Sequence, residues 1–305
     1  ISDLYIDRES STSVGLFGLV SGSDVVINDT RLESVNITGD AYVGGLGGRF
    51  FDAGGPVNNV SVTGTVSGSN DVGGLAGEID SIEVNNSYAN VTVTGTDARI
   101  GGLVGKIDGG TVTNSSTTGT VSNDFVTDAD DLGGLVGRNN EGVVSSSYSN
   151  TTVDDNGGSS VGGLVGYNNE GTINTSYATG NVTGDSTVGG LVGTNYADNS
   201  GYASGTSFVN TSYATGKVSG NTNVGGLVGY NWYTVNASYW DIQTTGQSSY
   251  AGNEFDAEAT NDTAGLTSAE MTGSRASTNM GDLDFTATWQ TVPDTSSNGV
   301  VASYP

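Results

Sequence analysis

The sequence contains no cysteine and no histidine. Without cysteine, neither disulfides nor thiolate metal sites can hold the fold. Without histidine, the HExxH zinc-peptidase pattern and any Ser-His-Asp or Cys-His nucleophile pair are excluded. Proline is reduced to three residues and lysine to two, Lys106 and Lys217, in a chain of net charge −25. A surface so poor in cations repels nucleic acid and anionic membrane. It suits high salt, where screening shortens to about 3 Å at 1 M and removes the self-repulsion. No run approaches the ~20 apolar residues of a membrane span. The chain opens on Ile1 with no signal peptide ahead of it, which reads as a mature product or an excised piece of something longer.

What is present is glycine, 50 residues of it, set largely at fixed places. The stretch Val161-Gly162-Gly163-Leu164-Val165-Gly166 returns as Val43-Gly-Gly-Leu46, Val72-Gly-Gly-Leu75, Ile100-Gly-Gly-Leu103, Leu132-Gly-Gly-Leu135, Val188-Gly-Gly-Leu191 and Val224-Gly-Gly-Leu227. Val14-Gly15-Leu16 is a degenerate first copy, which makes eight, with successive leucines 27 to 36 residues apart. A period of this size marks stacked supersecondary units, none able to bury its apolar face alone.

Aligned on these anchors, two further columns appear. A β-branched residue follows at Val57, Val84, Val112, Val144, Ile173, Val209 and Val235, and then a valine at Val66, Val93, Val121, Val153, Val182 and Val218. The apolar runs are short and separated by Gly, Asn, Asp and Ser, which is too short for helices. The expected fold is therefore all-β: a parallel β-solenoid of about eight coils over residues 1–240, with a C-terminal capping segment over 241–305. Coils ~4.8 Å apart give a rod on the order of 40 Å. The cap offers a short helix at Thr267 to Met271, where Thr267 and Glu270 form a capping-box pattern, and closes on Asp284 to Trp289. Insertions interrupt the period at Arg49–Pro56, Asn123–Asp130 and Thr194–Ser207, where recognition would sit.

Val161 and Leu164 are three apart, so both face inward only if strand alternation breaks between them. Gly162-Gly163 supplies that break, by positive φ or by close backbone approach. A phosphate-binding loop would need a following helix and usually a lysine, and neither follows any copy. Gly163→Val should destabilise the stack, and the direction of Val165 stays open.

Repeats such as Val161 to Gly184 resemble the GLUG-motif repeats of large bacterial and archaeal surface proteins. Those include adhesin-like proteins and the non-catalytic regions of IgA-peptidase-like proteins. The resemblance covers roughly residues 14 to 240, and the tail from Ser238-Tyr-Trp-Asp241 to Tyr304-Pro305 looks like the segment that follows such arrays. It implies extracellular display and no settled biochemical role.

Chemistry on such a chain would have to run on carboxylates. Asp128, Asp130 and Asp131 in one insertion, with Asp154 and Asp155 in the next coil, are the candidates for a glycosidase or lyase. Asp128, Asp130 and Asp131 are equally candidate calcium ligands, since hard oxygen donors suit that ion. Their spacing matches neither an EF-hand nor the Gly-Gly-x-Gly-x-Asp repeat. No other cofactor is implied.

Twelve Asn-x-Ser/Thr sequons occur. Asn85, Asn174, Asn210 and Asn236 share one column, and glycans cannot crowd onto coils ~4.8 Å apart, so that column reads as a hydrogen-bonded asparagine ladder. Asn28, Asn150 and Asn261 are the glycan candidates outside it. Tyr88, Tyr148, Tyr177, Tyr213 and Tyr239 form a column that reads as a stacked ladder rather than a sugar platform.

The expected protein is a non-enzymatic structural or adhesive repeat module of a halophile, placed outside the cell, on a cell or virion surface. Its partners would be other surface proteins, copies of itself or glycans. A carboxylate-dependent polysaccharide-processing enzyme and a self-assembling filament or viral fibre subunit are the alternatives.

Overall fold

The structure, a computed structural model, describes residues 1–22, 25–53, 55–124, 131–197, 205–255, 262–286 and 289. Three sheets form the walls of a parallel β-solenoid. The anchor face has seven strands, from Ala41–Gly44 to Thr222–Gly225, each ending in the first glycine of the repeated stretch. After the leucine, the chain enters a second sheet of nine strands, from Phe17–Gly22 to Ala251–Glu254, here named the amide face. The rest of each coil contributes to a broad face of 18 strands.

Equivalent residues stack directly. Leu132, Val161 and Val188 are register partners on the anchor face, as are Ile173 with Val209 and Val182 with Val218 on the broad face. Val161, Leu164, Ile173 and Val182 are all 0% exposed, and burying each contributes roughly 1.5–3 kcal/mol. Val165, whose direction the sequence leaves open, is buried in the same core.

The Gly-Gly corner is set by space. Neither Gly162 nor Gly163 has a left-handed φ. A Cβ on Gly162 would lie 2.0 Å from the Val165 carbonyl oxygen, and one on Gly163 would lie 2.2 Å from that of Gly190. Of the two properties of glycine invoked for the corner, close approach operates and positive φ does not. The backbone stays paired through the bend, the Leu164 N–H donating to Leu191 O and that of Leu191 to Leu227 O, both at 2.9 Å, which removes the penalty for burying it.

A second corner lies between strands such as Thr172–Asn174 and Tyr177–Ala178. Its middle residue is left-handed and not glycine: Asn86, Asn114, Ser146, Thr175, Thr211 and Ala237 have φ between 45° and 49°. A serine follows each time. Ser115, Ser147, Ser176, Ser212 and Ser238 each accept the backbone N–H of the serine one coil earlier at 3.1–3.3 Å and donate to the carbonyl two residues back at 2.6–2.8 Å. Each hydroxyl thus uses both of its capacities, and the strain of a left-handed residue is held by the stack.

Beyond residue 240 two faces continue by one rung. Ala251–Glu254 pairs with Val228–Asn231, and Ala264–Leu266 with Tyr239–Asp241, both in parallel. Tyr250 takes the leucine's place, its carbonyl accepting Leu227 N–H at 2.9 Å. A four-residue helix, α1 (Ile242–Thr245), is N-capped by Asp241 Oδ1, and a second, α2, spans Ala276–Asn279.

The helix expected at Thr267 to Met271 is a turn. Glu270 does reach back to Thr267 N at 2.8 Å, but the Thr267 hydroxyl donates to the same carboxylate instead of capping backbone. Gly273 then follows at φ 57°, so the single turn does not propagate. Met271, Met280, Leu283 and Trp289 pack on Tyr213 and Tyr239, with Trp289 5.4 Å from the Tyr213 ring and 5.8 Å from that of Tyr177.

Candidate interaction surface

A strand turns alternate side chains to opposite sides, so each amide-face strand has an inner and an outer set. Inside, Phe50, Ile79 and Ile107 stack and are followed in the same register by Asn139, Asn168, Asn195 and Asn231. These four asparagines are 0% exposed. Each amide donates to the next, Asn139 to Asn168 at 2.8 Å, Asn168 to Asn195 at 2.9 Å and Asn195 to Asn231 at 2.9 Å. Asn139 and Asn168 also donate to the carbonyls of Gly142 and Gly171 at 3.1 and 3.0 Å, closing the turn that follows. This buried ladder was not anticipated from sequence.

Outside, the register partners run Arg49, Glu78, Lys106, Arg138, Tyr167, Thr194 and Tyr230. Charge at one end gives way to aromatic rings at the other. Glu78 pairs with Arg49 at 2.5 Å and Lys106 at 3.1 Å, and Lys106 also reaches Asp108 at 2.8 Å. Arg99 pairs with Asp71 at 2.7 Å, and Arg138 with Asp131 at 2.5 Å. Four of the eight basic residues of the chain are thus gathered beside this face, each matched by an acid. The Arg138 guanidinium lies 4.8 Å above the Tyr167 ring, a cation–π contact. Beyond it, Trp232 meets Tyr196 at 5.4 Å, Tyr230 at 5.6 Å and Phe255 at 4.1 Å. Phe255 is 52% exposed and the other rings are half-buried.

Burial pushes the Asp71 carboxyl up to about 6, and Arg99 only partly offsets this. For Lys106 burial acts downward, but Asp108 and Glu78 outweigh it and the net shift is upward. A carboxyl raised above its ordinary value of 3.8 holds its proton more tightly in the fold than in the unfolded chain. It therefore adds stability as pH falls through 6 and withholds it above, by on the order of 3 kcal/mol. In urea titrations from pH 7 to pH 4.5, the wild type is expected to gain stability relative to Asp71→Asn, which does not titrate. Parallel profiles would show that Asp71 does not carry this dependence.

Of the residues singled out from sequence, Asp128, Asp130 and Asn261 lie outside the described residues, as do 54, 125–130 and 198–204 of the three insertions. Asp131 is buried and committed to Arg138. Asp154 and Asp155 point to opposite sides of one strand, outward and inward, so they do not form a carboxylate pair. Among the described residues, no three acids gather in a way that could hold a metal ion.

The asparagine column is a hydrogen-bonded ladder where Asn210 donates to Asn174 at 3.1 Å. Asn28, placed outside that column by its sequence spacing, belongs to it: Asn28 is the register partner of Asn58, and Asn58 of Asn85. Asn150 stands exposed on a broad-face strand. The tyrosine column is stacked, with Tyr148, Tyr177 and Tyr213 4.9 and 4.8 Å apart and within 4° of parallel.

The family profile of the GLUG motif matches residues 97–122 and 157–183, two coils of the stack just described. The chain carries the GLUG motif at these two coils. Over 91 residues it is 42% identical to halomucin of Haloquadratum walsbyi, a match that covers 29% of this chain and 1% of halomucin. The GLUG repeat is thus one coil: glycine corner, amide-face strand, serine corner and broad-face strand.

Proposed function

We propose that this GLUG solenoid is a rigid structural and adhesive module displayed on the surface of a halophile, and that the outer amide face makes its contacts. One observation carries the reading. In a chain of net charge −25, the ion-paired cations and the rings of Tyr167, Tyr196, Tyr230, Trp232 and Phe255 share one face. Such a face offers aromatic contact area where charge repulsion is lowest, and aromatic residues dominate the energetics of interfaces. The parallel ladders supply the stiffness a spacer needs. The halomucin match supports the halophile setting, and the GLUG motif supports a repeat module rather than an enzyme.

Beads carrying the chain are expected to adhere to haloarchaeal cells in molar salt, and Tyr230→Ala/Trp232→Ala to lower that adhesion several-fold while circular dichroism is unchanged. Equal adhesion by the folded variant would sink the assignment of this face.

Assembly with copies of itself is a second reading, favoured by the exposed Phe17 and Leu19 on the edge strand Phe17–Gly22, which pairs on one side only. Sedimentation that stays monomeric at all concentrations would overturn it.

A further inference from the structure

Of the twelve sequons, those among the described residues fall into different structural classes. At the serine corner, Asn85, Asn174, Asn210 and Asn236 precede a left-handed residue, and the sequon serine two positions on is buried with its hydroxyl spent in the ladder. A glycan at these four would meet the neighbouring coil. Asn28 makes the same turn, with Asp29 left-handed and Thr30 Oγ1 donating to the Asn28 carbonyl at 3.1 Å, but here the asparagine and the hydrogen bond are exposed.

On the broad-face strands the geometry reverses. Along Tyr88–Gly95 and Tyr148–Asp155, alternate residues are buried, so Asn90 and Thr92, and Asn150 and Thr152, all point outward. Asn90 and Asn150 are exposed. They lie in one column, each the register partner of Thr118, and so stand two coils apart. That gives about 10 Å between acceptors, twice the spacing in the corner column.

A tyrosine stands two residues before each of these two asparagines and on the same side of the strand, about 6.7 Å away. Tyr88 and Tyr148 are the two members of the tyrosine column with a sequon asparagine two residues after them. Tyr88 is fixed by a 2.8 Å hydrogen bond between its hydroxyl and that of Thr118. Tyr148 is 36% exposed. Tyr177 and Tyr213, by contrast, lie against Trp289 of the cap, and no asparagine follows them at the same spacing.

We infer that Asn90 and Asn150 are N-glycan acceptors, each with its first sugar packed on the tyrosine two residues before it. The co-reactant is a lipid-linked, phosphorylated oligosaccharide. The Nδ2–C1 bond forms as the bond from C1 to the lipid phosphate oxygen breaks. The phosphate leaves as the anion, and the transferase takes the amide proton. The apolar face of the pyranose then covers Tyr88 or Tyr148, completing outside the chain the stacking that Trp289 provides within it. The inference rests on the surface reading, because the transfer occurs on secreted chains.

The test expresses the full chain behind an added signal peptide in a glycosylating haloarchaeal host, and in a bacterial host that lacks the modification. Glycopeptide mass spectrometry is expected to find sugar at Asn90 and Asn150 and none at Asn85, Asn174, Asn210 or Asn236. Bare Asn90 and Asn150, or occupied corner sequons, overturn the assignment. Asn90→Gln/Asn150→Gln is expected to lower the melting temperature of the haloarchaeal product and leave the bacterial product unchanged. That difference should vanish in a Tyr88→Thr/Tyr148→Thr background, and its persistence there would overturn the packing of sugar on tyrosine. The added signal peptide makes these outcomes independent of where the native chain resides, which protease treatment of intact source cells reads separately.

Discussion

Gly163→Val is expected to destabilise the protein by more than about 4 kcal/mol, in the range reserved for a change the structure cannot absorb. The first added carbon is already too much. It would sit 2.2 Å from the Gly190 carbonyl oxygen and 2.9 Å from Ala178 Cβ, where the obstacle is backbone of the next coil and not a side chain that can swing away. Moving that backbone would pull apart the neighbouring bond from Leu164 N–H to Leu191 O. Gly163→Ala should therefore fail in the same direction. Gly281→Ala is the matched control, because a Cβ there meets only Thr278 O at 3.6 Å, and it should unfold in urea within about 1 kcal/mol of wild type. Hydrogen exchange should show protection lost first in the coils around Leu164 and Leu191, since each coil in a solenoid is held by its neighbours. A Gly163→Val protein that unfolds with the wild type would mean that the corner is not close-packed.

The same corner shows what sequence could and could not reveal. The period, the anchor columns and the parallel stack were legible because apolar residues and glycines recur at fixed spacing, and few other arrangements satisfy both. The tyrosine stack and the link between Asn174 and Asn210 were legible for the same reason. Asn139, Asn168, Asn195 and Asn231 were not. They sit in polar stretches such as Tyr167-Asn168-Asn169-Glu170-Gly171, and asparagine beside glycine ordinarily signals a turn on the surface. Only the register with Phe50, Ile79 and Ile107 shows that the first of the two asparagines replaces an apolar core residue. The serines were hidden by their abundance. The outer amide face was missed because its cations and rings are far apart in sequence and adjacent only across coils.

Asn168→Ala should be the most damaging substitution of a polar residue in the core, at about 3–5 kcal/mol. The amide receives a hydrogen bond from Asn139 and donates to Asn195 and to the Gly171 carbonyl. Truncation leaves an Asn139 N–H and the Asn195 Oδ1 unpaired where no water reaches, the Gly171 carbonyl keeping the Phe208 N–H, at roughly 1–3 kcal/mol for each buried group, and it adds a cavity in the core. Asn139→Ile gives the opposing expectation. Asn139 is where the isoleucine column meets the amide ladder, and its Oδ1 is buried with no donor. Replacing it with isoleucine extends the apolar column by one coil and moves the unpaired acceptor to Asn168, so the net change should stay within about 1 kcal/mol. Urea titration of both variants decides the matter. If the two cost the same, the ladder acts as ordinary core filling. If Asn168→Ala alone is severe, the amides act as a chain in which the interior member matters more than the end, as mutually polarised hydrogen bonds require.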